Sequence, residues 1–224
     1  MSGSYSVSAA AVLFDMDGTL IDSIAAVEAL WTRFATELGV SAPDVIEYGH
    51  GRQIVDTVAK FLPSHSAQEQ SSISRRLMQE ELNEAHSVVE IAGAAGLVSA
   101  LLDNAVPIAL VTSATRELAL SRMHNAGVPI PPIVVTAEDV SKGKPAPDAY
   151  LLAAERLGVP IADCIVFEDA EAGLRAARAS GANVIVVGEH LSPSTDGLAR
   201  ISSYLDMRIV GSNAIAHFEF APFD

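Results

Sequence analysis

At 224 residues, 50% of them hydrophobic, the chain is long enough to bury a sizeable core as one large or two small domains. Twenty-eight acidic residues against fourteen basic ones leave a formal charge of -14, which disfavours nucleic acid as a partner and offers no basic patch to an anionic membrane. The single cysteine, Cys164, excludes an internal disulfide and a cysteine metal cluster, and fits a reducing, cytoplasmic setting.

The first residues, MSGSYSVSAA, lack the basic start and long apolar segment of a secretory signal, and no apolar run reaches membrane length. The next stretch, AAAVLFDMDGTL, organises the rest. Ala11 to Phe14 is short, apolar without alternation and stopped sharply, so it reads as a buried parallel strand. It delivers Asp15 and Asp17 to a turn made by Gly18 and Thr19, at the strand end where open α/β sheets hold ligands. Two acids this close repel unless a cation or a shared proton compensates. An Asx-turn with a solvated acid is the plainer alternative.

The spacing then predicts a helix over Ile24 to Leu38 ending at Gly39, a turn at Tyr48-Gly49-His50-Gly51, a helix from Arg52 to Phe61, and a more polar one over Ala67 to Ala85. This region carries helix signals and no convincing strand, so it reads as a helical insertion behind the first strand. From Ala92 the character changes. Helices over Ala94 to Asp103, Arg116 to Asn125, Pro147 to Leu157 and Ala172 to Ala179 alternate with strands at Pro107 to Val111, Ile133 to Val135, Ile165 to Phe167 and Val184 to Val187. Met207 to Val210 reads as a short last strand, and the tail beyond Gly211 as an edge strand or a loose end. The alternation predicts a parallel sheet with helices on both faces. Cys164, in an apolar run, reads as a buried inert thiol.

In such a sheet four strand ends converge on one edge: Asp15 with Asp17, Thr112 with Ser113, the loop Lys142-Gly143-Lys144-Pro145, and Glu168 with Asp169. Carboxylates gathered there call for a hard cation, and oxygen-only ligation favours Mg2+ over zinc. Asp169 is the second metal ligand on this reading, with Glu168 direct or through water; capping of the next helix is the other use for the pair. Thr112 and Ser113 either cap a helix or hold phosphate oxygens. Lys144 is either a surface lysine or the cation that neutralises acids and a phosphoryl group. An aspartate beside a magnesium ion can attack phosphorus, and a second acid can protonate the leaving alkoxide and then deprotonate water. Asp15 suits the first role and Asp17 the second.

With the motifs LFDMDGTL, ALVTSAT, KGKPAPDAY and IVFEDAEAG in this order, the chain resembles the haloacid-dehalogenase-like phosphatase superfamily, in the branch with a helical cap after the first strand. The resemblance implies an α/β fold: a Rossmann-like core over residues 1–20 and 90–224, with an all-helical cap over 21–89. It implies Asp15 as nucleophile, Asp17 as acid/base and backbone-carbonyl metal ligand, Thr112 and Lys144 as phosphoryl binders, Asp169 as metal ligand, and main-chain N–H donors from Ser113 and Ala114. Dehalogenases of the superfamily lack the second aspartate, which is present here. Phosphonate hydrolases use a cap lysine, and the predicted cap holds only Lys60, read as a surface residue. Beta-phosphoglucomutases carry a histidine in the helix after the first motif, absent from Ala25 to Leu30, so a sugar-phosphate mutase is the alternative enzyme and a non-catalytic binding protein the alternative class.

The segments TRFATELGV and YGHGRQIVDTVAKFLP resemble the caps of small sugar- and polyol-phosphate phosphatases, such as those acting on 2-deoxyglucose 6-phosphate and glycerol 3-phosphate. Their His-Gly-x-Arg turn reads here His50-Gly51-Arg52, one residue shorter, and places His50 and Arg52 at the substrate. The expectation is a cytoplasmic Mg2+-dependent phosphomonoesterase for a small phosphorylated sugar or polyol, monomeric or weakly dimeric, with neither nucleic acid nor membrane as partner.

Overall fold

The computed structural model describes residues 5–209 and 215–221. The chain opens with β1 (Tyr5–Ala9) and β2 (Ala11–Phe14). A short strand, β3 (Ile21–Asp22), leads into α1 (Ile24–Leu38), α2 (Ala42–Gly49), α3 (Ile54–Phe61) and α4 (Ala67–Asn83), and β4 (Val89–Glu90) returns antiparallel to β3. Strands and helices then alternate: α5 (Ala94–Asp103), β5 (Ile108–Val111), α6 (Arg116–Asn125), β6 (Ile133–Val135), α7 (Asp148–Leu157), β7 (Cys164–Glu168), α8 (Glu171–Ser180) and β8 (Asn183–Val187). Three short strands follow, β9 (Ala199–Ile201), β10 (Arg208–Ile209) and β11 (Ala216–Phe220).

Six strands form one parallel sheet in the order β6-β5-β2-β7-β8-β9, with β2 at its interior. Successive side chains on a strand point to opposite faces, and both faces here are covered, which is why the strands read as continuous apolar runs. Val12 and Phe14 pack with Ile108, Leu110 and Ile165 and with Leu97, Val98 and Met123 of α5 and α6. Ala11 and Leu13 pack on the other side with Val111 and Val166 and with the alanines of α7 and α8. Those alanines let the two helices lie close to the sheet, so a core of this size needs few aromatic rings. Cys164 is buried in the same layer, as its apolar surroundings predict.

Helices α1–α4 build a separate apolar cluster around Leu30, Trp31, Phe34, Val45, Val58 and Leu77. A capping box in which Ser66 and Glu69 satisfy each other's backbone starts α4, and Gly39, Gly158 and Gly181 end α1, α7 and α8 as expected. No helix among the described residues is long and apolar enough to cross a membrane.

The structure corrects three expectations. Tyr48 and Gly49 are not in a turn: they close α2, which Ser41 caps and Pro43 enters at its first turn, where a missing N–H costs nothing. Gly49 lies against the Trp31 ring. The sixth strand of the parallel sheet is β9, too short and too polar to show as an apolar run. Met207 to Val210 instead yields β10, in a small antiparallel sheet of order β1-β11-β10; Val210 lies outside the described residues. The tail forms the middle strand of that sheet, and its residues 211–214 lie outside the described residues, as do 1–4 of the N-terminal segment.

Candidate active site

The carboxyl ends of β2, β5 and β7 lie side by side, since β2 pairs in parallel with both neighbours. Asp15 follows β2, Thr112 follows β5, and Glu168 ends β7 with Asp169 after it. Lys144, from the loop before α7, is 1% exposed and joins them. Its Nζ donates to Asp15 Oδ1 at 2.5 Å, to Glu168 Oε1 at 2.6 Å and to the Val111 carbonyl at 3.2 Å. The Tyr150 hydroxyl donates to the same Glu168 oxygen at 2.9 Å, and the N–H groups of Asp169 and Ala170 donate to the other. Both Glu168 oxygens are therefore occupied by protein donors. A Cβ added at Gly173, in the first turn of α8, would collide with the Glu168 carboxylate. Gly173→Ala is expected to destabilise the protein by about 1–3 kcal/mol, the range for overpacking a tight interior, read as a lowered denaturation midpoint; an unchanged midpoint would show that Glu168 has room to move.

Asp15, Glu168 and Asp169 each offer a carboxylate oxygen within 4.8 Å of the others. Thr19 donates to Asp169 at 2.9 Å, and Gly18 leaves the space the Asp169 carboxylate fills. Burial pushes the Asp15 carboxyl up to about 8 against the pull of Lys144, with Glu168 adding to the rise. Burial and the neighbouring acids Glu168 and Asp15 likewise hold Asp169 well above the carboxylate range. Burial opposes the charge on Lys144, but Asp15 and Glu168 outweigh it and keep the ammonium protonated. One lysine thus does not neutralise this group, and a divalent cation held by the hard oxygens of Asp15 and Asp169 would. The donor set fits such an ion.

Asp17 is placed apart from that cluster. Its Oδ1 accepts from Ser23 Oγ at 2.5 Å and from Arg122 Nη1 at 2.9 Å. Arg122, on α6, is 1% exposed and also pairs with Glu81 of α4, 3.3 Å away. Burial pushes the Glu81 carboxyl up to about 7 despite Arg122. Thr112 is buried, and its hydroxyl accepts the Ala114 N–H at 3.1 Å, so that donor is already engaged. The Ser113 hydroxyl donates to the Gly51 carbonyl at 2.8 Å, tying the loop before α3 to the sheet edge.

These groups face a cavity of about 390 Å³ between α1–α4 and the sheet, a size suited to a small metabolite. Asp15, Asp17, Asp169, Thr112, Ser113 and Ala114 line its sheet side; His50, Arg52, Gln53, Trp31, Met78 and Glu81 line the other. Burial lowers the His50 imidazole from its ordinary value, and Glu28 raises it in part. The Arg52 guanidinium stacks over Tyr48, 4.4 Å from the ring centroid. Every expected site residue except Lys144 and Glu168 lines the cavity, and those two stand directly behind it. Sequence reasoning missed Arg122, Glu81, Ser23 and Thr19 as site residues. Tyr150 stood in the third motif without a role.

Residues 9–181 match the family model described as a haloacid dehalogenase-like hydrolase. The chain belongs to this family. Among similar curated proteins, hexitol phosphatase A of Escherichia coli (strain K12) is 40% identical over 175 residues, spanning 78% of this chain and 81% of that protein. Glycerol-1-phosphate phosphohydrolase 2 of Saccharomyces cerevisiae is 36% identical over 186 residues, 78% of this chain and 73% of its own length. Among solved structures, a beta-phosphoglucomutase from Clostridium difficile superposes with a TM-score of 0.77, covering 87% of this chain and 91% of its own at 20% identity, a likeness of fold. The haloacid dehalogenase-like hydrolase family assignment agrees with all four motifs, each of which ends at the cavity or directly behind it.

Proposed function

We propose that the protein is a Mg2+-dependent phosphomonoesterase for small sugar or polyol phosphates, working through an aspartyl-phosphate intermediate. The observation that carries this reading is Asp15, buried at the end of β2, clamped by Lys144 and open to the cavity beside Asp169. The names of the curated relatives support the substrate class. On this reading residues 1–20 and 90–224 form the catalytic core and 21–89 a cap that excludes water from a bound metabolite. The enzyme is cytoplasmic, monomeric or weakly dimeric.

Asp15, Asp169 and the Asp17 carbonyl would hold the metal, with Glu168 behind them fixing Lys144. When bound, Mg2+ offsets charge on the carboxylates and on the transferring phosphoryl group. Lys144 occupies Asp15 Oδ1, which leaves Oδ2 to attack phosphorus. The P–O bond to the substrate breaks as Asp17 gives its proton to the leaving alkoxide. Asp17 then takes a proton from water, whose oxygen attacks phosphorus, and Asp15 is released with inorganic phosphate. Thr112 and Ser113 hold phosphoryl oxygens, joined by the Ala114 N–H once Thr112 turns to the ligand. His50 and Arg52 meet the hydroxyls of the carbon chain.

The test is phosphate release from hexitol, hexose and glycerol phosphates, with Mg2+ and after chelation. Release that disappears with EDTA and returns with Mg2+ is expected. Absence of release from the whole panel, or release indifferent to EDTA, would overturn the reading; conversion of a hexose 1-phosphate without free phosphate would point to a mutase.

A further inference from the structure

Arg122 is the largest of the fully buried side chains, and it lies outside all four motifs. A buried guanidinium is costly unless its donors are met. Here they are met poorly: Nη1 bonds Asp17 Oδ1, whereas Nε and Nη2 have no hydrogen bond among the described residues, Nη2 having only the ion pair with Glu81. Such a group is a weak device for stability. What it does achieve is geometric. Together with Ser23 it takes Asp17 Oδ1 from two directions, so the carboxyl plane is set.

We propose that Arg122 is a positioning residue that orients Asp17 so that Oδ2 carries the proton for the leaving alcohol, and that Glu81 makes this orientation depend on docking of α4. Arg122 does not line the cavity, whereas Asp17 and Glu81 do, so it acts through Asp17 rather than on substrate. Ser23 precedes α1 and Glu81 belongs to α4; both contacts therefore join the helical unit to the sheet edge, and both are lost if that unit swings away. Arg122 sits on the core side, where Asn125 on the same helix also bonds the Ala85 carbonyl at 3.1 Å. The acid would be properly held only while the helices cover the cavity.

This inference rests on the phosphatase reading, and leaving-group dependence separates the two. The value of kcat/KM reports transfer up to release of the alcohol. A polyol phosphate needs its leaving oxygen protonated; p-nitrophenyl phosphate does not. Arg122→Met is expected to lower kcat/KM for glycerol phosphate by roughly 100-fold, the lower range for a lost general acid, and for p-nitrophenyl phosphate by less than about 5-fold. Arg122→Lys should recover part of the loss, and Glu81→Gln should show the same selectivity at about 10-fold. Equal losses on both substrates, or none on either, in variants with wild-type circular dichroism would overturn the proposal. Should Arg122→Met fail to fold, Arg122→Lys and Glu81→Gln carry the same comparison. A wild-type protein inactive on both substrates would instead overturn the phosphatase reading.

Discussion

Asp15→Asn is expected to abolish phosphate release, lowering kcat by roughly 10⁴- to 10⁶-fold, the scale seen when a covalent nucleophile is removed. The amide keeps the shape of the carboxyl and can still accept from Lys144, which retains Glu168 as a counter-ion. The fold should therefore survive. Stability should even rise in the absence of divalent ions. The folded-state value of Asp15 lies above the ordinary 3.8, at about 8, so the group binds its proton more tightly folded than unfolded. Its contribution is present in full below about 3.8 and is lost as pH climbs toward 8. Asparagine removes that penalty, so in EDTA at neutral pH the variant should melt no lower than the wild type. Turnover by a correctly folded variant, or a trapped phosphoryl label on another residue, would remove Asp15 from the mechanism.

Lys144→Met should produce the largest loss of stability. The substitution preserves length and apolar stem but leaves Asp15 and Glu168 buried without their shared cation. Removing one partner of a buried ion pair costs about 3–5 kcal/mol. The loss should be smaller in acid, where Asp15, already raised to about 8, is held neutral by its own proton, and larger in base, where it is charged. Denaturant unfolding in EDTA at mildly acidic and mildly alkaline pH measures both. A cost below about 1 kcal/mol would mean that neighbouring water or backbone solvates the two acids, against the geometry. Activity should vanish as well, since Lys144 holds Asp15 Oδ1 in place.

The sequence by itself determined the parallel core, the helical insertion and the acidic cluster at the sheet edge. An apolar run closed by Asp-x-Asp-Gly-Thr is a strand end wherever it falls, and in a parallel sheet strand ends meet on one edge. Asp15, Asp169, Thr112 and Lys144 were legible for that reason. His50 and Arg52, which line the cavity, were assigned to it only through the resemblance, and α2 was hidden because a helix closed by glycine reads as a turn. Only the tertiary structure decided the rest. Strand β9 and the β1-β11-β10 sheet depend on pairing with distant partners, since their short, mixed sequences carry no apolar run of their own. Arg122 lies 105 residues from Asp17 and reads in sequence as one more polar position on α6. That meeting exists because helix α6, packed on the sheet, sets the buried guanidinium between Asp17 in the turn after β2 and Glu81 on α4, and no local periodicity encodes it.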